Sequence, residues 1–374
     1  MKERVIIFNG YYFPSKKYGG PTTSVENMVE ACSEWIDFYV IVVNHDFGEK
    51  EKFSSIKEGW NKYGNAKVLY VNDSDFTEKK INKWLEEIKP KSIYLGGVLS
   101  IRNFRYLAAA KRHNIKVIIP PRGEVLDKAV RKKYYKKIPF LTILKYFKVY
   151  KHCYFHATSV AERDGIKKYL GVDLNNIKVL PNIPKRIKYG HVTNKKSGEL
   201  EAVYIARICD TKNLLEALNS LKNISGKVHY KIYGPIEDKE YWYKCENVIK
   251  TLPNNINVEY LGTLESDQVS NEYLISNCTL LPTITENYGH SIVESLVTGC
   301  PCIIPKGTTP WDSIDGIAGY TYTLGNIGML NSLVQKMVNM DGEEYNDLVN
   351  ETYTFAKDKI SDSSLIKEYI KMLL

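Results

Sequence analysis

The stretch Lys185–Glu199, KRIKYGHVTNKKSGE, is polar and basic, carries two glycines and has no apolar period. It reads as a linker between domains, because a regular pattern on either side of it stops there. Upstream, short apolar runs at Val5–Phe8, Phe38–Val43, Lys67–Val71, Ser92–Leu95, Val117–Pro120, Tyr154–Ala157 and Lys178–Leu180 predict strands. Amphipathic stretches at Ser24–Ser33, Glu78–Ile88, Asn103–His113 and Val160–Leu170 predict helices between them. Downstream the alternation restarts. Strands are predicted at Ala202–Ala206, Val228–Tyr233, Val258–Leu261, Thr279–Leu281 and Cys302–Ile304, and helices at Asn213–Leu221, Tyr241–Ile249, Ser266–Ser276, His290–Thr298 and Ile327–Met340. Strands that read as bare apolar runs are buried on both faces, and the intervening helices cover a parallel sheet. The expected fold class is α/β: two Rossmann-like doubly wound domains facing across a cleft. They cover 1–184 and 200–359, joined by the linker 185–199, with 360–374 a terminal helix returning to the first domain. Ligands of such sheets sit beyond the carboxyl ends of the strands.

The 374 residues are 44% hydrophobic, enough for two cores. The formal net charge of +9 fits an anionic ligand, an anionic membrane surface or nucleic acid, and equally a Lys-rich surface with no partner. No recognised nucleic-acid module accompanies the charge, so nucleic acid is not an expected partner. No run is apolar enough to span a bilayer, and Met1–Gly10 lacks the apolar core and cleavage site of a signal peptide. The seven cysteines form no C-x-x-C pair, and Cys300 and Cys302 lie in an apolar strand signal. A disulfide or metal framework is therefore not expected, and a reducing, cytoplasmic setting is.

The densest group of chemically competent residues is Thr285-Glu286-Asn287-Tyr288-Gly289-His290-Ser291-Ile292-Val293-Glu294-Ser295. Glu286 follows a predicted buried strand, Gly289 permits close backbone approach before a helix, and Ser291 and Glu294 share a helix face at spacing i, i+3. Backbone N–H groups at a helix start suit a phosphate or a sugar oxygen, and carboxylates suit sugar or ribose hydroxyls. Acidic residues near helix starts also favour the macrodipole without any ligand. Gly19 and Gly20 make a Gly-rich strand-to-helix turn that fits phosphate and fits a plain helix start equally. They are not a G-x-G-x-x-G fingerprint. Asp73-Ser74-Asp75, before Glu78–Ile88, reads as helix capping rather than as a paired-Asp metal site. The histidines do not cluster at metal-ligand spacing.

ENYGHSIVE, two glutamates separated by seven residues, with SLVTGCPCIIP after it, resembles the E-x7-E region of the retaining glycosyltransferases of family four. Tyr204-Ile205-Ala206-Arg207 with Lys212-Asn213-Leu214, Tyr260-Leu261-Gly262 and KGTTPW at Lys306–Trp311 are similar to further segments of that family. So are Gly19-Gly20, Pro121-Arg122-Gly123 and His156-Ala157-Thr158-Ser159 with Glu162. The resemblance implies a GT-B fold, with the donor mainly on the second domain and the acceptor mainly on the first. It implies a hexosyl donor linked to UDP or GDP, retention of anomeric configuration and no cofactor or metal. Arg207 and Lys212 would neutralise the donor diphosphate, Glu286 would serve the sugar and Glu294 the ribose. Gly19, Gly20, Asn287, Tyr288, Gly289, His290, Ser291 and Ile292 would complete the donor site. A glycan or lipid-linked acceptor in bacterial surface polysaccharide synthesis would follow. Pro181-Asn182-Ile183, where the family often has Pro-Asn-Gly, Tyr288 in place of Phe, and His290 in place of a small or apolar residue bear on the sugar rather than the fold.

Rivals on the same architecture are a nucleotide-sugar epimerase, which needs no acceptor, and a two-lobed binding protein that releases no nucleotide. Residues 128–151, KAVRKKYYKKIPFLTILKYFKVYK, combine cations with aromatic and aliphatic residues. Two readings stand: a segment lying on an anionic membrane, which would place the enzyme peripherally at the inner face of the plasma membrane, or a packed domain helix. Pro139 is expected to divide the stretch.

Overall fold

A computed structural model describes residues 2–15, 19–131, 134–185, 190, 195–360 and 363–374. The chain forms two compact units, Met1–Ile183 with Ser363–Leu374, and Pro184–Asp362. In the first, strands β1 (Glu3–Phe8), β2 (Ile36–Val43), β3 (Trp60–Tyr63), β4 (Ala66–Val71), β5 (Ser92–Leu95), β6 (Lys116–Ile119), β7 (Tyr154–Ala157) and β8 (Ile177–Val179) form one sheet. Its order is β3-β4-β2-β1-β5-β6-β7-β8. Every pairing is parallel except β3 with β4. Successive β1 residues go to opposite faces, Ile6 and Phe8 into one core and Val5 and Ile7 into another. Both faces are thus covered, which is why the strand reads as an unbroken apolar run.

The helices of this unit are α1 (Gly20–Cys32), α2 (Glu78–Ile88), α3 (Asn103–Arg112), α4 (Asp127–Arg131), α5 (Tyr134–Tyr146) and α6 (Val160–Leu170). Helix α1 starts four residues before the expected Ser24, because Pro21 falls at its first positions, where a missing N–H costs nothing. The cap of α2 is Thr77, whose side chain accepts from the Lys80 N–H; Asp73–Asp75 instead form their own 3-10 turn, with a capping box between Asn72 and Asp75. Pro139 does not divide its stretch, since α5 runs through it. Lys132 and Lys133 lie outside the described residues.

In the second unit, β9 (Glu199–Ile205), β10 (Lys227–Tyr233), β11 (Ile256–Tyr260), β12 (Cys278–Leu280), β13 (Cys302–Pro305) and β14 (Gly319–Tyr322) form a sheet of order β11-β10-β9-β12-β13-β14. All its pairings are parallel. Its helices are α7 (Leu214–Ser220), α8 (Lys239–Ile249), α9 (Ser266–Ile275), α10 (His290–Val297), α11 (Ile327–Asn339) and α12 (Gly342–Lys359). The chain runs outward from β9 through β10 to β11, then returns to the other side of β9 with β12. That reversal makes the β9/β12 boundary a topological switch point, where loops diverge and leave a crevice.

Most of the expected linker 185–199 falls outside the described residues, at 186–189 and 191–194. Lys195 is already part of the second unit: it is buried, and its ammonium donates to the carbonyls of Val338 (3.1 Å) and Met340 (2.9 Å) at the end of α11. The last helix, α13 (Ser363–Leu373), belongs to the first unit, where Leu365, Tyr369, Met372 and Leu373 join the core that contains Val5 and Val25. The Tyr369 hydroxyl donates to the Pro181 carbonyl at 2.9 Å. His156 closes the same cluster: its Nδ1 meets the Tyr94 hydroxyl at 2.8 Å and its Nε2 donates to the Leu180 carbonyl at 2.9 Å. All seven cysteines are free and buried.

Candidate active site

The loops beyond β9 and β12 carry the residues singled out in the sequence. Arg207 stands two residues past the end of β9. Its position is fixed from below, because the fully buried Tyr204 donates its hydroxyl to the Arg207 carbonyl at 3.0 Å. Burial pushes that phenol well above its usual range, so it stays a donor. Gly234, one residue past β10, sits against the same loop: a Cβ there would lie 1.9 Å from the Ala206 carbonyl oxygen, so only glycine fits.

The chain then makes a 3-10 turn, Asp210–Lys212, closed by Asn213 in the left-handed conformation at φ 54°. This turn is stitched to the loop after β12. The Ile284 N–H donates to the Thr211 carbonyl at 2.9 Å, and the Thr283 hydroxyl reaches the same carbonyl at 3.3 Å. The Glu286 N–H donates to the Thr308 carbonyl at 2.8 Å, tying that loop to the one after β13. These bonds bring Lys212 and Glu286, 74 residues apart, into a direct ion pair that is largely shielded from water. The Thr283 hydroxyl also lies 3.4 Å from the Glu286 carboxylate, which competes with the Thr211 carbonyl for its one proton. Arg207 is more exposed and pairs with Glu237, from the loop after β10. Each proposed phosphate-binding cation thus holds a carboxylate here.

Gly289 is the N-cap of α10 at φ 77°, and no side chain caps this helix. The first N–H groups of a helix have no intrahelical acceptors, so a helix start without a side-chain cap presents donors and the positive end of the dipole. Ser291, in the first turn, donates its hydroxyl to the Ile205 carbonyl at 2.6 Å and docks α10 on the end of β9. Glu294, three residues on, is half-buried near Tyr273 and Tyr288 and helps raise both phenol pKa values, after burial itself.

The expected donor residues divide on inspection. Asn287 and His290 are half-buried, His290 with its ring 5.0 Å from that of Tyr288. Tyr288 and Ile292, by contrast, are side chains of the core of this unit. Tyr288 packs on Trp311, whose indole N–H donates to the Tyr288 carbonyl. What these two positions offer a ligand is backbone. Gly19 and Gly20 belong to the first unit, at the start of α1, where Gly19 takes φ 67°. Sequence reasoning gave no role to Glu237, Tyr204, Thr211, Thr283 or Thr308. Tyr204 lay within the quoted YIAR segment and Thr308 within the quoted KGTTPW segment; the others gave no signal beyond ordinary loop polarity.

Asp73 and Asp75 are engaged by their own neighbours. Asp73 accepts from Arg102 and from His45 Nε2 (2.7 Å), and Asp75 from Lys80 (2.6 Å).

Residues 186–355 match the family model described as glycosyl transferases group 1. That stretch is similar to the domain the family model describes. It spans the switch-point loops, so the site just described lies inside the matched region. Over the whole chain the structure is similar to HepE of Anabaena, solved in complex with UDP and glucose, at 12% identity and TM-score 0.74, covering 99% of each chain. It is similar to sucrose-phosphate synthase of Thermosynechococcus elongatus at 10% identity and TM-score 0.73, covering 99% of this chain and 98% of that one. It is also similar to WaaG, a glycosyltransferase involved in lipopolysaccharide biosynthesis, at 10% identity and TM-score 0.68, covering 99% of each chain. These likenesses establish the fold, two parallel-sheet domains of the GT-B type. No curated protein sequence matches the chain.

Proposed function

We propose that the protein is a glycosyltransferase that moves a hexosyl group from a UDP- or GDP-linked donor to a hydroxyl acceptor with retention of configuration, without a metal. The observation that carries the reading is the pairing of Lys212 and Glu286 across the β9/β12 switch point, beside the α10 start. A cation, a carboxylate and a row of backbone donors at one strand end are what a sugar diphosphate needs. Lys212 and Arg207 would neutralise the β-phosphate as the glycosidic bond breaks, stabilising the leaving group. Glu286 would face the sugar and balance positive charge at the anomeric carbon, while Glu294 would accept from the ribose hydroxyls. The N–H groups from Gly289 to Ile292 would add neutral donors to phosphate or sugar oxygens. HepE, solved with UDP and glucose, supports a uridine donor, and WaaG supports a role in surface glycan synthesis on a glycan or lipid-linked acceptor held by the first unit. A peripheral place at the inner face of the plasma membrane belongs to the same reading.

The test is a panel of nucleotide-sugars incubated with the protein, with and without candidate acceptors, and read by mass spectrometry. Acceptor-dependent release of UDP or GDP with a mass gain of one hexose on the acceptor is the expected result. An isomerised donor with no acceptor requirement identifies an epimerase instead, and binding without any released nucleotide identifies a binding protein.

A further inference from the structure

Helix α5 carries two apolar stripes. One faces inward: Leu141 and Leu144 are buried in the core of the first unit, with Phe140 packed against it. The other faces solvent. Tyr135, Ile138, Pro139, Thr142, Ile143 and Tyr146 recur as i, i+3, i+4, i+7, i+8 and i+11, one helical face, and all are exposed. Tyr135 is 62% exposed, Ile143 51%, Tyr146 78%, and Phe147 just past the helix 70%. A surface helix of a water-soluble unit ordinarily places polar residues on this face, so a contiguous aromatic and aliphatic stripe marks an interaction surface.

The flanking charge selects the partner. Residues 128–151 hold nine Lys or Arg and no Asp or Glu. Lys128, Arg131 and Lys136 are exposed. Lys137 and Lys145 are turned to backbone carbonyls, of Ala129 (2.8 Å) and Lys168 (2.9 Å), and so help fix α5 in place. Amphipathic Tyr rings beside an apolar stripe, in a segment whose charges are all cationic, match the layered chemistry of a bilayer surface: acyl chains, then interface, then anionic headgroups. A second copy of this chain would bring the same cations against themselves. No helix among the described residues is long and apolar enough to cross a membrane.

We infer that the outward stripe of α5 seats the protein on an anionic lipid surface, with Tyr135, Ile143, Tyr146 and Phe147 entering the headgroup–acyl boundary and Lys128, Arg131 and Lys136 meeting the headgroups. This deepens the transferase reading by naming the surface on which a lipid-linked acceptor would be met.

The experiment uses the full chain and vesicles of phosphatidylcholine alone or with one part in four phosphatidylglycerol, with co-sedimentation at low and high salt. Binding is expected only with phosphatidylglycerol and is lost at high salt. The triple variant Lys128→Gln, Arg131→Gln, Lys136→Gln is expected to bind about 100-fold more weakly, about fivefold for each charge. The variant Ile143→Ser, Tyr146→Ser, Phe147→Ser is expected to lose at least about tenfold while melting like the wild type, because it removes only exposed apolar groups. Tyr146→Trp should blue-shift its emission on phosphatidylglycerol vesicles. The inference is overturned if the wild type stays in solution with these vesicles at low salt. It is equally overturned if both triple variants bind as the wild type does, or if the serine variant instead dissolves a dimer seen without lipid. Nucleotide-sugar turnover is measured on the same preparations. Turnover without vesicle binding sinks this surface alone, and vesicle binding without turnover on any donor sinks the transferase reading alone.

Discussion

Removing the ammonium of Lys212 tests the site in two independent ways. Its side chain is 16% exposed and that of Glu286 is 15% exposed, so the pair sits between the surface and the interior. Exposed pairs contribute about 0–1 kcal/mol, and breaking a fully buried one costs about 3–5 kcal/mol; Lys212→Ala should therefore cost about 2 kcal/mol. Glu286 would keep only the Thr283 hydroxyl at 3.4 Å. For a unit of this size the loss lowers the melting midpoint by about 4–8 °C. The double variant Lys212→Ala, Glu286→Ala, which leaves no stranded carboxylate, should regain most of it, as should the exchanged pair Lys212→Glu, Glu286→Lys. Catalysis should follow a different order. Losing one charge stabiliser of the leaving group slows transfer by about 100-fold, and neither the double nor the exchanged variant restores it. Thermal melts of the second unit and steady-state kinetics with titrated donor separate the two effects. If Lys212→Ala and Arg207→Ala both transfer at the wild-type rate with wild-type donor affinity, the leaving-group assignment is wrong.

Glu286→Gln should reduce turnover more than nucleotide affinity, whereas Glu294→Gln should reduce affinity for free UDP or GDP; calorimetry giving equal affinity losses contradicts that division. Transfer should survive EDTA, and a strict Mn²⁺ or Mg²⁺ requirement abolished by Asp73→Asn would falsify the metal-free proposal. Burial pushes the His156 imidazole down from 6.5 to about 4. The folded state favours the neutral form, so its contribution is complete above about pH 6.5 and is lost as pH falls toward 4, by at most about 1.4 kcal/mol per pH unit. Denaturant midpoints of the first unit should therefore drop with acid, and His156→Gln should flatten that slope; an unchanged slope rules the histidine out as its source.

The parallel strands were legible because a strand buried on both faces must be apolar throughout, as in β1, β2 and β13. Strand β3 was not, since its WNKY is exposed at the sheet edge and has no apolar alternation. The pairing of Tyr63 with Ala66 across Gly64-Asn65 makes it a hairpin arm, a turn signal that the polar flanks obscured. Helix α12 did carry readable signs. Asp341 and Glu344 form a capping box, and Tyr345, Leu348, Val349, Thr352, Phe355 and Ala356 recur at helical spacing on its buried face. Strand β14 is a short GYTY run whose pairing with β13 depends on Gly319: a Cβ there would lie 2.0 Å from the Cys302 carbonyl oxygen.

The site was legible as residue types at strand ends and illegible as contacts. Arg207, Lys212 and Glu286 each follow an apolar strand, which is enough to place them at the carboxyl edge of a parallel sheet. Nothing local says that Glu237 would hold Arg207, or that Tyr288 and Ile292 would turn into the core while Ser291 reaches back to Ile205. The decisive meeting, Lys212 with Glu286, is a product of strand order. Had the strands lain in sequence order, β9 and β12 would be three spacings apart, about 14 Å, beyond the reach of a lysine–glutamate ion pair. The return of β12 to the free edge of β9 reduces that to one spacing, and the bonds from Ile284 and Thr283 to Thr211 draw the two loops together over it. A substitution that loosened this stitching, without touching either charged residue, should therefore weaken the pair through distance alone.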